Sequence, residues 1–122
     1  NSTNINIMKN CIYSENIDLI NFCYMNISQR NDINIFLSES TQNIKIFNYF
    51  IKRGAYITDK VFTTHCFKIT PNNKLENSLK MIDYLIDCYP EHCRIENVLN
   101  FLSHNSPIYN YLMDFLYKPK FY

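Results

Sequence analysis

Asn43 to Ile57, NIKIFNYFIKRGAYI, is the stretch on which the reading of this chain turns. Ile44, Phe47, Phe50 and Ile51 recur at three- and four-residue steps, which lines them along one side of a helix while Lys45, Asn48 and Lys52 point away. Gly54, the single glycine of the chain, follows the run. With no side chain it can adopt the left-handed conformation that ends a helix, and Lys52 and Arg53 before it suit the negative end of the helix dipole.

Other helical runs lie on either side. Upstream, Ile7, Met8, Cys11 and Ile12 give a helix over 5–13, Ser14-Glu15-Asn16 breaks it, and a second run covers 17–26. Asp32 is placed to cap a short helix over 33–38, and a polar turn at 39–42 leads into the central run. Downstream, Tyr56 to Lys60 connects to Val61–Ile69, whose β-branched and aromatic content suits a strand as well as a helix. Thr70 to Asn73 is a turn, and Leu75 to Cys88 is helical through Leu79, Ile82, Leu85 and Ile86 until Pro90 stops it. A last pair covers 95–102 and 108–117, with Pro107 near the first turn, where a missing N–H costs little.

These runs repeat. With Asn16, Asn43, Ser78 and Asn105 in register, Leu19, Ile46, Met81 and Ile108 align, as do Ile20, Phe47, Ile82 and Tyr109. A polar column follows (Asn21, Asn48, Asp83, Asn110), then an aromatic one (Phe22, Tyr49, Tyr84, Tyr111) and an apolar one (Cys23, Phe50, Leu85, Leu112). The copies are spaced by 27, 35 and 27 residues. Because each helix has only one apolar side, a neighbouring unit is its natural cover. The expected fold is therefore all-α: a single domain over residues 1–122, built as a stack of about four helix-turn-helix units forming a short solenoid. The alternative weighed against it is a compact bundle of the Bcl-2-like kind, known from viral proteins that bind host apoptosis or signalling proteins.

Asn43 to Ala55 resembles the second helix and Gly-Ala terminus of an ankyrin repeat, and Ser14 to Phe22 is similar to the helix turn and second helix of the unit before it. The match departs from the family in that only one unit keeps Gly-Ala, and in three further ways. No unit carries a Thr-Pro-Leu-His stretch, the helices lack small alanines, and units of 27 residues fall short of the usual length of about 33. The resemblance is to the degenerate ankyrin proteins of large A/T-rich DNA viruses, either poxviruses or giant viruses. It implies a non-catalytic protein-interaction module that engages a host protein in the cytoplasm. It also points to the segment after Gly54 as the binding face, with Tyr56, Thr58, Asp59 and Lys60 joined by Phe67 as an apolar anchor. Tyr56 would supply a large amphipathic contact within a polar rim. The competing reading places Tyr56 and Phe67 in the core between the second and third units.

Composition narrows the functional classes. One glycine and four prolines argue against glycine-rich phosphate loops. A net charge of +1 with acids and bases interspersed gives no footprint for nucleic acid, and Lys118 with Lys120 is too small a basic cluster. No apolar run approaches the roughly 20 residues of a membrane helix, so the chain reads as a soluble protein without a membrane partner. Five cysteines, an odd number, fit a reducing compartment, and Cys11 and Cys23 fall on apolar helix faces as small core residues. The sequons at Asn1 and Asn26 arise readily by chance in an Asn-rich chain.

His65, Cys66, Cys88, His92 and Cys93 carry metal-ligand chemistry, but Cys88 and Cys93 straddle Pro90 instead of forming a close pair, so no metal or other cofactor is expected. A Cys-dependent enzyme using Cys66 or Cys93 with His65 or His92 is the catalytic alternative. No orienting acid or oxyanion loop accompanies those residues, and the expectation is that the chain is not an enzyme. Inter-repeat packing is the expected role of the aromatic column, ahead of base stacking, since a stacking platform needs a basic groove.

Overall fold

The computed structural model describes residues 2–27, 30–68 and 70–117, and among these there is helix but no strand. The helices are α1 (Ser2–Tyr13), α2 (Ile17–Ile27), α3 (Ile33–Glu39), α4 (Ile44–Lys52), α5 (Asp59–Phe67), α6 (Leu75–Cys88), α7 (Ile95–Phe101) and α8 (Pro107–Tyr117). Short 3-10 turns at Arg30–Asp32, Asn72–Lys74 and Pro90–His92 stand where polar or proline-containing breaks were expected.

Local chemistry accounts for the boundaries. The Asn16 side-chain oxygen accepts from the backbone N–H of Asp18 and Leu19, both at 3.1 Å. Asn43 does the same for Lys45 at 2.9 Å and Ile46 at 3.3 Å, so two residues of the repeat register are helix caps. Gly54 has φ +105°, its N–H reaches the Ile51 carbonyl at 3.1 Å, and the Ala55 N–H reaches that of Phe50 at 3.0 Å. This double bond pattern closes α4 as a Schellman motif. A Cβ at Gly54 would meet nothing within 4 Å, so the demand for glycine is conformational. Glu15, at φ 57°, fills the same role after α1, and its carboxylate accepts from the Asn43 amide at 3.2 Å.

One expectation is corrected, and one open choice is resolved. Asp32 makes no side-chain cap bond, because it belongs to the 3-10 turn that leads into α3. Val61–Ile69 is helical as far as it is described, and the helix begins earlier, at Asp59. Its buried residues, Val61, Phe62, His65 and Cys66, follow helical steps, and the Thr63 hydroxyl bonds back to the Asp59 carbonyl at 3.1 Å. Of the other two residues of the repeat register, Ser78 lies within α6, which spans Leu75–Cys88 as expected. Asn105 stands one residue outside the position that caps α8, where the Ser106 hydroxyl accepts from the Ile108 N–H at 3.2 Å. Ile69, Lys118 and Lys120 lie outside the described residues, as do Asn1 and Ser28 of the two sequons.

Two compact units divide the chain, Asn1–Ile57 and Thr58–Tyr122. In the first, α1 packs on α2, α3 on α4, and α1 on α3. Its centre is aromatic: Phe50 is fully buried, with ring centroids 5.9 Å from both Tyr24 and Phe36 and 5.1 Å from Tyr49. Lys9 and the Tyr13 hydroxyl both meet the Glu39 carboxylate, tying α1 to the end of α3. The buried side of α4 is Ile46, Phe47, Tyr49 and Phe50, rotated from the stripe read in the sequence, and Ile44 and Ile51 are half-buried at its margins.

In the second unit α5 packs on α6 and α7 on α8, around Phe62, Met81, Ile82, Leu85 and Leu112. One bond recurs in both units between columns of the repeat. The Tyr49 hydroxyl donates to Asn21 Oδ1 at 2.7 Å, and the Tyr111 hydroxyl donates to Asp83 Oδ1 at 2.6 Å. In each case an aromatic-column residue reaches back 28 positions to the polar column of the preceding helix pair. Burial first, and then the Asp83 carboxylate, push the Tyr111 phenol up to about 12. Tyr111→Phe should cost about 1 kcal/mol in denaturant melts. A double-mutant cycle with Asp83→Ala should show coupling of roughly 0.5 kcal/mol or more, whereas additive effects would mean the bond does not form in solution.

Candidate interaction surface

The residues expected to bind a partner do not all belong to one unit. Tyr56 is in the first unit, 64% exposed, and its backbone N–H is held by Asn34 Oδ1 at 3.0 Å. Thr58, Asp59 and Lys60 open α5 in the second unit, and Phe67 closes it, 41% exposed. At 1.5 Å per residue, Phe67 stands roughly 12 Å along the helix from Asp59. Asp59 is already engaged: His92 Nδ1 and Arg94 Nε both lie 2.8 Å from its carboxylate oxygens. Those bonds, His92 first and Arg94 second, hold the Asp59 carboxyl below the usual carboxylate range and brace the start of α5 against the segment before α7.

A more continuous apolar surface lies on α2, and the sequence reading did not single it out as a surface. Ile20, Cys23 and Tyr24 turn inward at 8% exposure or less, while Leu19, Phe22 and Met25 are 41%, 65% and 55% exposed. The three follow steps of three residues, so they form one outward stripe. Single exposed apolar residues are ordinary, but a stripe of three large ones is not. The signal that could have found it is the run Ile17–Ile27, apolar on more than one side of the helix.

The repeat makes the exposure more telling. Ile46, Met81 and Ile108, the counterparts of Leu19, are all buried, and so is Tyr49, the nearest counterpart of Phe22. In α4 these column positions are covered, and the Tyr49 hydroxyl is bonded across to α2. In α2 the same positions are bare. Phe22 thus departs from the core-packing role expected of the aromatic column.

No family model matches this chain, and no curated protein or solved structure matches it.

The Cys and His residues are arranged as follows. His65 is buried, with Nε2 lying 2.9 Å from the Ser78 carbonyl oxygen, which can only accept, so that nitrogen carries the proton. Its Nδ1 is buried without a partner, and burial pulls the imidazole down to about 4. Burial likewise pushes the Cys66 thiol up to about 12, with Cys93 adding to the effect. Cys93 also rises to about 12, through burial and the nearby Glu91 and Asp59 charges. Both environments oppose thiolate formation. Among the described residues no three His, Cys, Asp or Glu side chains gather as a metal-ligand set. An open hollow of about 320 Å³ at the start of α7 is lined by Cys93, Arg94, Ile95, Glu96, Asn97 and Leu116, a mixed-charge wall with no buried polar group aimed into it. Among the described residues no helix is long and apolar enough to cross a membrane.

Proposed function

We propose that this chain is a non-catalytic protein-binding module, a short ankyrin-like stack that docks a protein partner through the outward stripe of α2. The observation that carries this reading is the exposure of Leu19 and Phe22 at column positions whose counterparts are buried (Ile46, Met81, Ile108, Tyr49) or half-buried (Tyr84, Tyr111). A partner with an apolar surface would remove the stripe from water, as Tyr24 and Asn21 of α2 help to do for Tyr49 of α4. Packing between helices close in sequence, α1 with α2 and α3 with α4, supports a stack over a bundle wrapped around one central helix. The raised Cys66 and Cys93 thiols favour binding over thiol catalysis. In keeping with the viral resemblance, the partner class to screen is host cytoplasmic protein.

The test is capture from host lysate by the wild-type chain beside a Phe22→Asp/Met25→Asp variant. Both residues are exposed, so the variant should melt within about 0.5 kcal/mol of wild type. It should bind the captured protein at least about 30-fold more weakly, as expected for a lost hot spot worth about 2 kcal/mol or more. Tyr56→Ala serves as the comparison. Binding kept by the α2 variant and lost by Tyr56→Ala would move the surface to the segment after Gly54 and reject the stripe.

A further inference from the structure

α1 and α2 are joined by a turn at Ser14–Asn16, and each contributes one cysteine to their interface. Cys11 Sγ and Cys23 Sγ lie 2.6 Å apart, with the residues 7% and 8% exposed. Non-bonded heavy atoms ordinarily rest at roughly 3.5–4.0 Å, and a disulfide bond is roughly 2.05 Å long. The two sulfurs therefore sit closer than packed thiols need to, and a small side-chain adjustment separates them from bonding distance.

We propose that Cys11 and Cys23 form a redox-active dithiol that closes to an intramolecular disulfide across α1 and α2. With a peroxide as oxidant the chemistry balances. Burial and the neighbouring Cys23 push the Cys11 thiol up to about 11, so the first step is slow near neutral pH and quickens as the pH rises: one thiolate attacks a peroxide oxygen, the O–O bond breaks, and hydroxide leaves, giving a sulfenic acid. The second sulfur then attacks the sulfenyl sulfur, the S–O bond breaks and water leaves. The two cysteines lose one electron each, the peroxide gains two, and the two thiol protons end in water. Because the sulfurs are already held together, the second step is intramolecular and faces no encounter cost. The helix that carries the outward stripe would be stapled to α1 by this bond, but the pairing stands or falls independently of that surface.

The remaining cysteines provide the internal control. Cys66 is buried, Cys88 is exposed and Cys93 is half-buried, and all are free. The full reduced chain is exposed to hydrogen peroxide, unfolded in iodoacetamide, and cut with trypsin and a glutamate-specific protease. Lys9, Glu15 and Arg30 then separate the two cysteines onto peptides 10–15 and 16–30. The expected result is a disulfide joining those two peptides, loss of two of the five thiols, and full reversal by dithiothreitol. The oxidised chain should melt about 10 °C higher, because a closed loop restricts the unfolded state. Cys88→Ser should leave the link intact and Cys23→Ser should abolish it; if Cys23→Ser fails to fold, the peptide map of the wild-type chain still decides. Recovery of Cys11 and Cys23 in alkylated form, their over-oxidation without a link, or a preferred link through Cys66, Cys88 or Cys93 would each overturn the assignment.

Discussion

Phe50→Ala is expected to remove about 3–5 kcal/mol of stability, several times the loss of a single hydrogen bond such as that of Tyr111. The ring is fully buried and meets the aromatic rings of Tyr24, Phe36 and Tyr49, which come from α2, α3 and α4. Truncation leaves a cavity that three large, stiff side chains cannot collapse to fill, so the cavity cost adds to the lost transfer energy. The melting temperature should fall by more than about 12 °C, and amide exchange should accelerate first in residues of the first unit. Phe50→Leu, which keeps much of the volume, should recover more than half of the loss. A melting temperature for Phe50→Ala within a few degrees of wild type would mean that this aromatic cluster does not form the centre of the unit.

The second large effect is a loss of stability in mild acid, set by His65. Its imidazole titrates near the ordinary value of 6.5 in the unfolded chain but only near 4 when folded, because burial penalises the cation, the Ser78 carbonyl opposes this only in part, and Lys68 adds a like charge. Above pH 6.5 both states are neutral and the folded chain keeps its full stability. As the pH falls from 6.5 towards 4 the unfolded state takes up a proton that the folded state refuses, and about 3 kcal/mol drains away. His65→Leu should flatten that slope whatever its stability at neutral pH. Denaturant midpoints measured between pH 8 and pH 4 check the point. An equal acid slope in wild type and variant would assign the loss to other groups.

The helices themselves were legible in the residues. Helix-period spacing located α6 at Leu75–Cys88, and the single glycine marked the end of α4, because both features are local: they depend on residues within one or two turns of backbone. The alignment of the polar and aromatic columns also carried real information, since Tyr49 with Asn21 and Tyr111 with Asp83 turn out to be bonded pairs. What periodicity could not say is which side of an ambiguous helix meets a neighbour. α2 has large apolar residues around most of its circumference, and only its packing on α1 assigned Ile20 and Cys23 to the interior and left Phe22 outside. Tertiary structure alone brought Cys11 to Cys23, His65 to Ser78, and Asp59 to His92 and Arg94. These partners lie 12 to 35 residues apart, and their meeting depends on how the helices cross, a property that no local spacing of residues encodes.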